Sequence, residues 1–264
     1  MKKTILLIIF IYAFTSCQKE SIPNDFIISK NIDINDSNIE QTIIQNLYEK
    51  LYEIYLLRKD AVNNHIRLTL MKNHKEDAFL PMDSIIAKYK IQINLKEPQS
   101  PYISFKNIDI YYKGNLQSPI TILEIINPEC DLCNILSQRI APLYERYKTQ
   151  VKFGYALYSK DNAFSSQALI YASQKNKYEE LYTNLISVRQ IDTIIIYDEM
   201  EKLKLNINEF NKQIPYLQEK TLKMNMYIQQ QGINKTPTLL INNRLVYNPL
   251  DTSNIRRIIE SQLK

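Results

Sequence analysis

Between Ile120 and Ile126 the chain reads ITILEII, a nearly continuous apolar run broken by one carboxylate. Such a run marks a β-strand covered on both faces, because a strand with one wet face alternates apolar and polar residues. A strand of that kind needs helices above and below it, so an α/β sandwich is expected. Shortly after it come Cys130 and Cys133, in C-x-x-C spacing, opening helical sequence that runs from Cys130 to Lys148.

The 264 residues suffice for one sizeable domain and a smaller appendage. Basic residues number 33 and acidic ones 28, scattered without a basic block, so a nucleic-acid-binding face is set aside. Glycine occurs only at 114, 154 and 232, which excludes phosphate-cradling glycine loops.

The N-terminus reads as an export signal. Lys2 and Lys3 precede the apolar run Ile5 to Phe14, and Thr15 and Ser16 lead into Cys17. The run falls short of the roughly 20 residues that a membrane-spanning helix needs. A Cys in this place resembles the bacterial lipoprotein signal, which implies a lipidated Cys17 as mature N-terminus, although Phe14 stands where that signal usually has Leu. An uncleaved anchor or an ordinary secretory signal is the alternative, and each puts the mature protein outside the cytoplasm, where disulfides persist. With Cys17 assigned to lipid, Cys130 and Cys133 remain: too few for a disulfide framework, enough for one redox pair.

Residues 18–36 are polar and without period, as in a tether. Ile39, Ile43, Leu47, Leu51, Ile54 and Tyr55 then follow helical spacing, continued by Val62, Ile66 and Leu70, with Asp36 or Ser37 as cap. A short helix over 82–90 follows Pro81, and Pro98 and Pro101 mark a boundary. The expected division is a signal over 1–17, a tether over 18–36, a helical extension over 37–97 and an α/β domain over 98–264. Within that domain 103–112, 120–126, 151–158, 238–241 and 245–247 read as strands, and about 162–231 as a helical insertion. Its buried candidates are Tyr171, Tyr178, Leu181, Leu185, Leu203, Phe210, Leu217 and Leu222. A final helix starts near Asp251.

Cys130 sits where a helix begins, so free backbone N–H groups and the helix dipole favour its thiolate, the attacking species in disulfide exchange. Cys133, one turn on, is placed to resolve a mixed disulfide. Glu124, inside the apolar strand, should be poorly solvated and hold its proton to unusually high pH, fit for exchange with Cys133. Thr236-Pro237-Thr238 opens a later strand, and a cis bond before Pro237 would present the Thr236 backbone to an extended substrate near Cys130.

At this point the chain resembles the DsbA-like thioredoxin-fold thiol–disulfide oxidoreductases. SPITILEIINPECDLCNILSQRIAPLYERY resembles their active-site strand and helix, QALIYASQKNKYEELYTNLI their inserted helices, and GINKTPTLLINNRLV their cis-proline strand and hairpin. The resemblance covers 103–264 in order, and the helical N-terminal stretch is similar to an extension that some exported members carry. It implies a thioredoxin-like fold with Cys130 as nucleophile, Cys133 as resolving thiol, Glu124 as buried acid and Pro237 as the cis-proline. Thr236, Asp131 and Leu132 are then candidate substrate contacts. No cofactor is implied, since the Cys130–Cys133 disulfide carries the two electrons. The implied partners are exported cysteine-containing proteins, a membrane oxidase or reductase, and the membrane itself through the lipid, with the domain facing the periplasm.

One departure bears on chemistry. Asp131-Leu132 replaces the usual Pro-His or Pro-Tyr between the cysteines, and Glu129 adds a second carboxylate. Negative charge there opposes the thiolate, so a pair less oxidising than a dedicated disulfide donor is expected.

Other readings stay open. C-x-x-C is also half a zinc site, with His65 and His74 as the remaining imidazoles. Glu124 is open to a buried ion pair, and Pro237 to a trans turn. Pro142 falls inside the active-site helix and is expected to kink it. A binding lipoprotein with a thioredoxin-like scaffold, and a disulfide isomerase or reductase, rival the disulfide donor.

Overall fold

The computed structural model describes residues 37–263 apart from 106–107, 160–163 and 189; the signal, the tether and Cys17 lie outside the described residues. A mixed five-stranded sheet has the order β1-β3-β2-β4-β5, with β1 Tyr111–Gly114, β2 Thr121–Ile126, β3 Lys152–Leu157, β4 Thr238–Ile241 and β5 Arg244–Leu245. Only β2 and β3 run parallel; β1 joins β3, and β4 joins β2, antiparallel. β2 lies in the middle, buried from Ile122 to Ile126, which is why its sequence is apolar on both faces. The hairpin from β4 to β5 turns on Asn242 and Asn243, both at positive φ, and Asn tolerates that region better than most residues.

Three helices frame the sheet directly. α3 (Asp131–Tyr147) follows β2 and carries Pro142 inside it; α7 (Ile207–Gln230) leads into β4; α8 (Thr252–Gln262), capped by Asp251, closes the chain against α3. The insertion between β3 and β4 comprises α4 (Phe164–Gln174), α5 (Tyr178–Ser187), α6 (Thr193–Lys202) and α7. Its centre is the fully buried Phe210, against which Phe164, Tyr171 and Tyr197 pack with ring centroids 5.4, 5.4 and 6.2 Å away. Aromatic burial of this kind dominates the insertion's stability. Leu222, expected inside, faces solvent on α7, whereas its neighbours Thr221, Met224 and Asn225 are buried. Two expected strands are shorter than read: 103–112 contributes only its end to β1, with a single bridge from Tyr102 to Arg244 just before it, and 245–247 reduces to β5.

N-terminal to the sheet, α1 (Ser37–Asn73) is one long helix, followed by a 3₁₀ turn at Asp77–Phe79 and by α2 (Met82–Tyr89). The face it buries is not the aliphatic stripe of Ile43, Leu47 and Leu51, but Gln45, Tyr48 and Tyr52; Leu51 is exposed. Tyr52 stacks on Tyr247 at 4.5 Å, and its hydroxyl donates to Glu97, which also pairs with Arg257 of α8. Two aromatic rings bury more apolar area than the leucines would, so the tyrosine face wins. Further along, Leu70, Ala78 and Ile85 form a second small core at the tip of the arm.

Candidate active site

β2 ends at Ile126, and Asn127-Pro128-Glu129 turns the chain into α3. The Asn127 side chain shapes this turn by accepting the Glu129 N–H at 3.0 Å, while its own backbone N–H donates to Cys133 Sγ at 3.5 Å. Cys130 is the N-cap of α3: its sulfur accepts the Cys133 N–H at 3.3 Å, in the place of the oxygen that a Ser or Asp would supply. A helix N-terminus aimed at a sulfur stabilises negative charge on it.

Both cysteines are free thiols, and they are unequal. Cys130 is partly exposed, whereas Cys133 is fully buried, and burial pushes its thiol far above the ordinary range. From the far end of the chain, the loop between α7 and β4 reaches the same spot. The Thr236–Pro237 peptide bond is cis, and the Thr236 carbonyl oxygen lies 3.6 Å from Cys130 Sγ, facing the thiol as an acceptor. Asp131 and Leu132 lie exposed beside the sulfur.

Glu124 lies in mid-strand, 1% exposed, with neither carboxylate oxygen in a well-formed hydrogen bond. Burial raises its pKa from 4.5 to about 7, against the opposing pull of the Lys113 ammonium and the Tyr155 hydroxyl. Tyr155 is its register partner on β3, so both side chains share one face of the sheet. That face is closed by Tyr111, Tyr178 and Tyr182, stacked in sequence at 4.4 and 5.9 Å. The Tyr182 hydroxyl hydrogen-bonds Ser137 of α3, one turn past Cys133; its pKa is raised first by burial and then by the negative charges of Glu124, Cys133 and Cys130. Tyr178 and Tyr182 therefore pack over the Glu124 face of the sheet, and Tyr182 carries that packing across to α3 through Ser137.

Next to Cys130 a cleft of about 610 Å³ opens between the active-site turn and the insertion, lined by Asn127, Glu129, Phe164, Asp192, Lys235 and Thr236. Glu129 is held there by the Ser165 hydroxyl at 2.7 Å. Nothing in the sequence signals this link, because Ser165 is an ordinary helix-start serine until the fold sets it beside the turn. His65 and His74 both lie on the arm side of the molecule, and among the described residues no group of three His, Cys, Asp or Glu side chains is arranged to hold a metal.

A family model described as thioredoxin matches residues 106–261. The chain belongs to the thioredoxin family. Two solved structures have the same fold: a thioredoxin-like oxidoreductase from Silicibacter pomeroyi DSS-3 and oxidised BdbD from Bacillus subtilis. The first is 17% identical, with a TM-score of 0.51, over 58% of this chain and 91% of its own. The second is 20% identical, with a TM-score of 0.51, over 62% of this chain and 97% of its own. No curated protein matches the sequence. The thioredoxin-like fold with a helical insertion and an N-terminal helical extension, expected from the DsbA-like resemblance, is the fold this family member has.

Proposed function

We propose that this thioredoxin-family protein is a thiol–disulfide oxidoreductase that exchanges disulfides with extracytoplasmic protein substrates through Cys130 and Cys133. The observation that carries the reading is the convergence on one sulfur: a cysteine N-cap with the Thr236 carbonyl 3.6 Å away, 106 positions later in sequence. An extended substrate pairs with the backbone at Thr236 and so brings its own sulfur to Cys130.

Run as a reduction, the Cys130 thiolate attacks one sulfur of a substrate disulfide, and the other leaves as a thiolate and takes a proton. Cys133 gives up its proton, with Glu124 as the base, and attacks Cys130 Sγ. The mixed disulfide breaks, the substrate leaves as a dithiol, and the protein holds the Cys130–Cys133 disulfide. Two electrons and two protons have passed to substrate. Oxidation of a substrate dithiol is the same path reversed. Glu124 suits the proton step because a base with a pKa near 7 is half-ionised at neutral pH. Asp131 and Leu132 flank the entering substrate chain.

The setting is the cell envelope. Cys17 carries the lipid, the domain faces the periplasm, and a membrane oxidase or reductase resets the pair. Among the described residues no helix is long and apolar enough to cross a membrane.

Cys133→Ala tests the reading. With its resolving thiol gone, the protein accumulates disulfide-linked adducts with envelope proteins, which vanish on reduction and in Cys130→Ala/Cys133→Ala. Absence of adducts favours a binding lipoprotein. The cellular redox state of the pair then sorts a donor (mostly oxidised) from a reductase or isomerase (mostly reduced).

A further inference from the structure

The loop that presents Thr236 is gripped by α1 along a single stripe. Gln41, Gln45 and Glu49 stand at positions i, i+4 and i+8 and so share one face of the helix. Gln45, itself buried, donates from Nε2 to the Gln231 carbonyl at 2.9 Å. Glu49 pairs with Lys235 at 2.5 Å. Gly232, at φ +80°, lies so near α1 that a Cβ would come within 2.8 Å of Gln41. Between Gln231 and Lys235 the chain is thus registered against α1, and the next residue is Thr236.

We infer that α1 is a positioning element for substrate recognition, and that Gln45 and Glu49 are positioning residues that hold the Thr236 carbonyl in register for an incoming peptide. The inference rests on the oxidoreductase reading above. Neither residue touches the sulfurs. Loosening them shifts the loop, and weakens docking of an extended substrate, without altering the thiol chemistry at the N-cap of α3. Small reductants do not need the Thr236 backbone; peptides do.

The test uses the full chain and a fluorogenic peptide closed by one disulfide, with reduced glutathione as electron source. Gln45→Leu and Glu49→Gln should each raise KM for the peptide roughly fivefold, as loss of one buried or charged hydrogen bond implies, with kcat within about twofold of the parent. Alkylation of Cys130 by iodoacetamide should not change. Lys50→Gln, which removes only the exposed pair with Glu53, should leave every value as it was. Glu49→Gln alters a partly exposed pair and is the safeguard should Gln45→Leu fold poorly. An unchanged KM in folded variants, or an equal fall of kcat and of alkylation rate, overturns the inference. A parent protein that never opens the peptide is a different result: the oxidoreductase reading then fails, and this inference with it.

Discussion

Cys130 Sγ and the carbonyl oxygen of Thr236 lie 3.6 Å apart, close enough for the thiol to donate to a backbone group from the other end of the domain. The sulfur that makes this contact is also the one that meets solvent, while Cys133 is sealed beneath it. Iodoacetamide should therefore add once to the reduced native protein. Mass spectrometry should find the label on Cys130, with Cys133 modified on the order of 100-fold more slowly until the chain is denatured.

The buried carboxyl of Glu124 gives stability a defined pH dependence. Its pKa is about 7 folded against an ordinary 4.5. Below pH 4.5 both folded and unfolded chains hold the proton, and the acid's contribution is fully present. As pH rises through this window the unfolded chain ionises first, so stability falls until the folded value is passed, by about 3 kcal/mol in all. Urea unfolding should show the advantage of Glu124→Gln over the parent growing by about that amount between pH 4 and pH 8. A constant difference would contradict a raised carboxyl.

The same substitution should change kinetics. With Glu124 as the base for Cys133, the rate at which a mixed disulfide resolves has an inflection near pH 7. In Glu124→Gln the inflection should vanish and the rate at pH 7 should drop roughly 10- to 100-fold, as followed by rapid quench of a mixed disulfide at Cys130.

Glu129 and Asp131 bracket the reactive cysteine, and Glu129 is fixed by Ser165. Negative charge beside a dithiol in general opposes the thiolate and so lowers the stability of the reduced pair. Equilibration with glutathione should give a potential more negative than the roughly −120 mV of the strongest known oxidant. Glu129→Gln/Asp131→Asn should move it about 15–30 mV in the oxidising direction.

Within the insertion, Phe210→Ala should cost about 3–5 kcal/mol, because the ring is fully enclosed by Phe164, Tyr171 and Tyr197. Leu222→Ala, on the wet side of α7, should stay within about 0.5 kcal/mol. Thermal melts of the two variants separate these outcomes.

What the sequence discloses here follows physical locality. ITILEII announces a central strand because both of its faces need cover, and Cys130 reads as a helix start because the loop Asn127-Pro128-Glu129 ends that strand and helical sequence follows. The Asn242-Asn243 pair announces a turn because both residues tolerate positive φ. Leu222 misleads, because a leucine at helical spacing looks the same on either side of a helix until its neighbours are known. On α1 two stripes compete, and the choice between Leu51 and Tyr52 is made by Tyr247, nearly 200 positions away in the chain. The stretch 103–112 has the composition of a strand, yet β3 pairs with β1 only from Tyr111 onward, so the earlier part has no ladder to join. Lys113 beside Glu124, and Ser165 beside Glu129, arise only from tertiary closure.

From Leu56 to Ala61, between its docked half and the tip, α1 is exposed on every side. The tip, with its own core at Leu70, Ala78 and Ile85, is joined to the body by this stretch of α1 and by the return segment 91–100, whose Glu97 bonds Tyr52 and Arg257. The amides of the exposed stretch, protected by helix bonds alone, should exchange with deuterium well before those of β2, and the tip should melt as a separate, earlier event. A protease cut between Leu56 and Ala61 would not release the tip, which stays tethered to the body through residues 91–100.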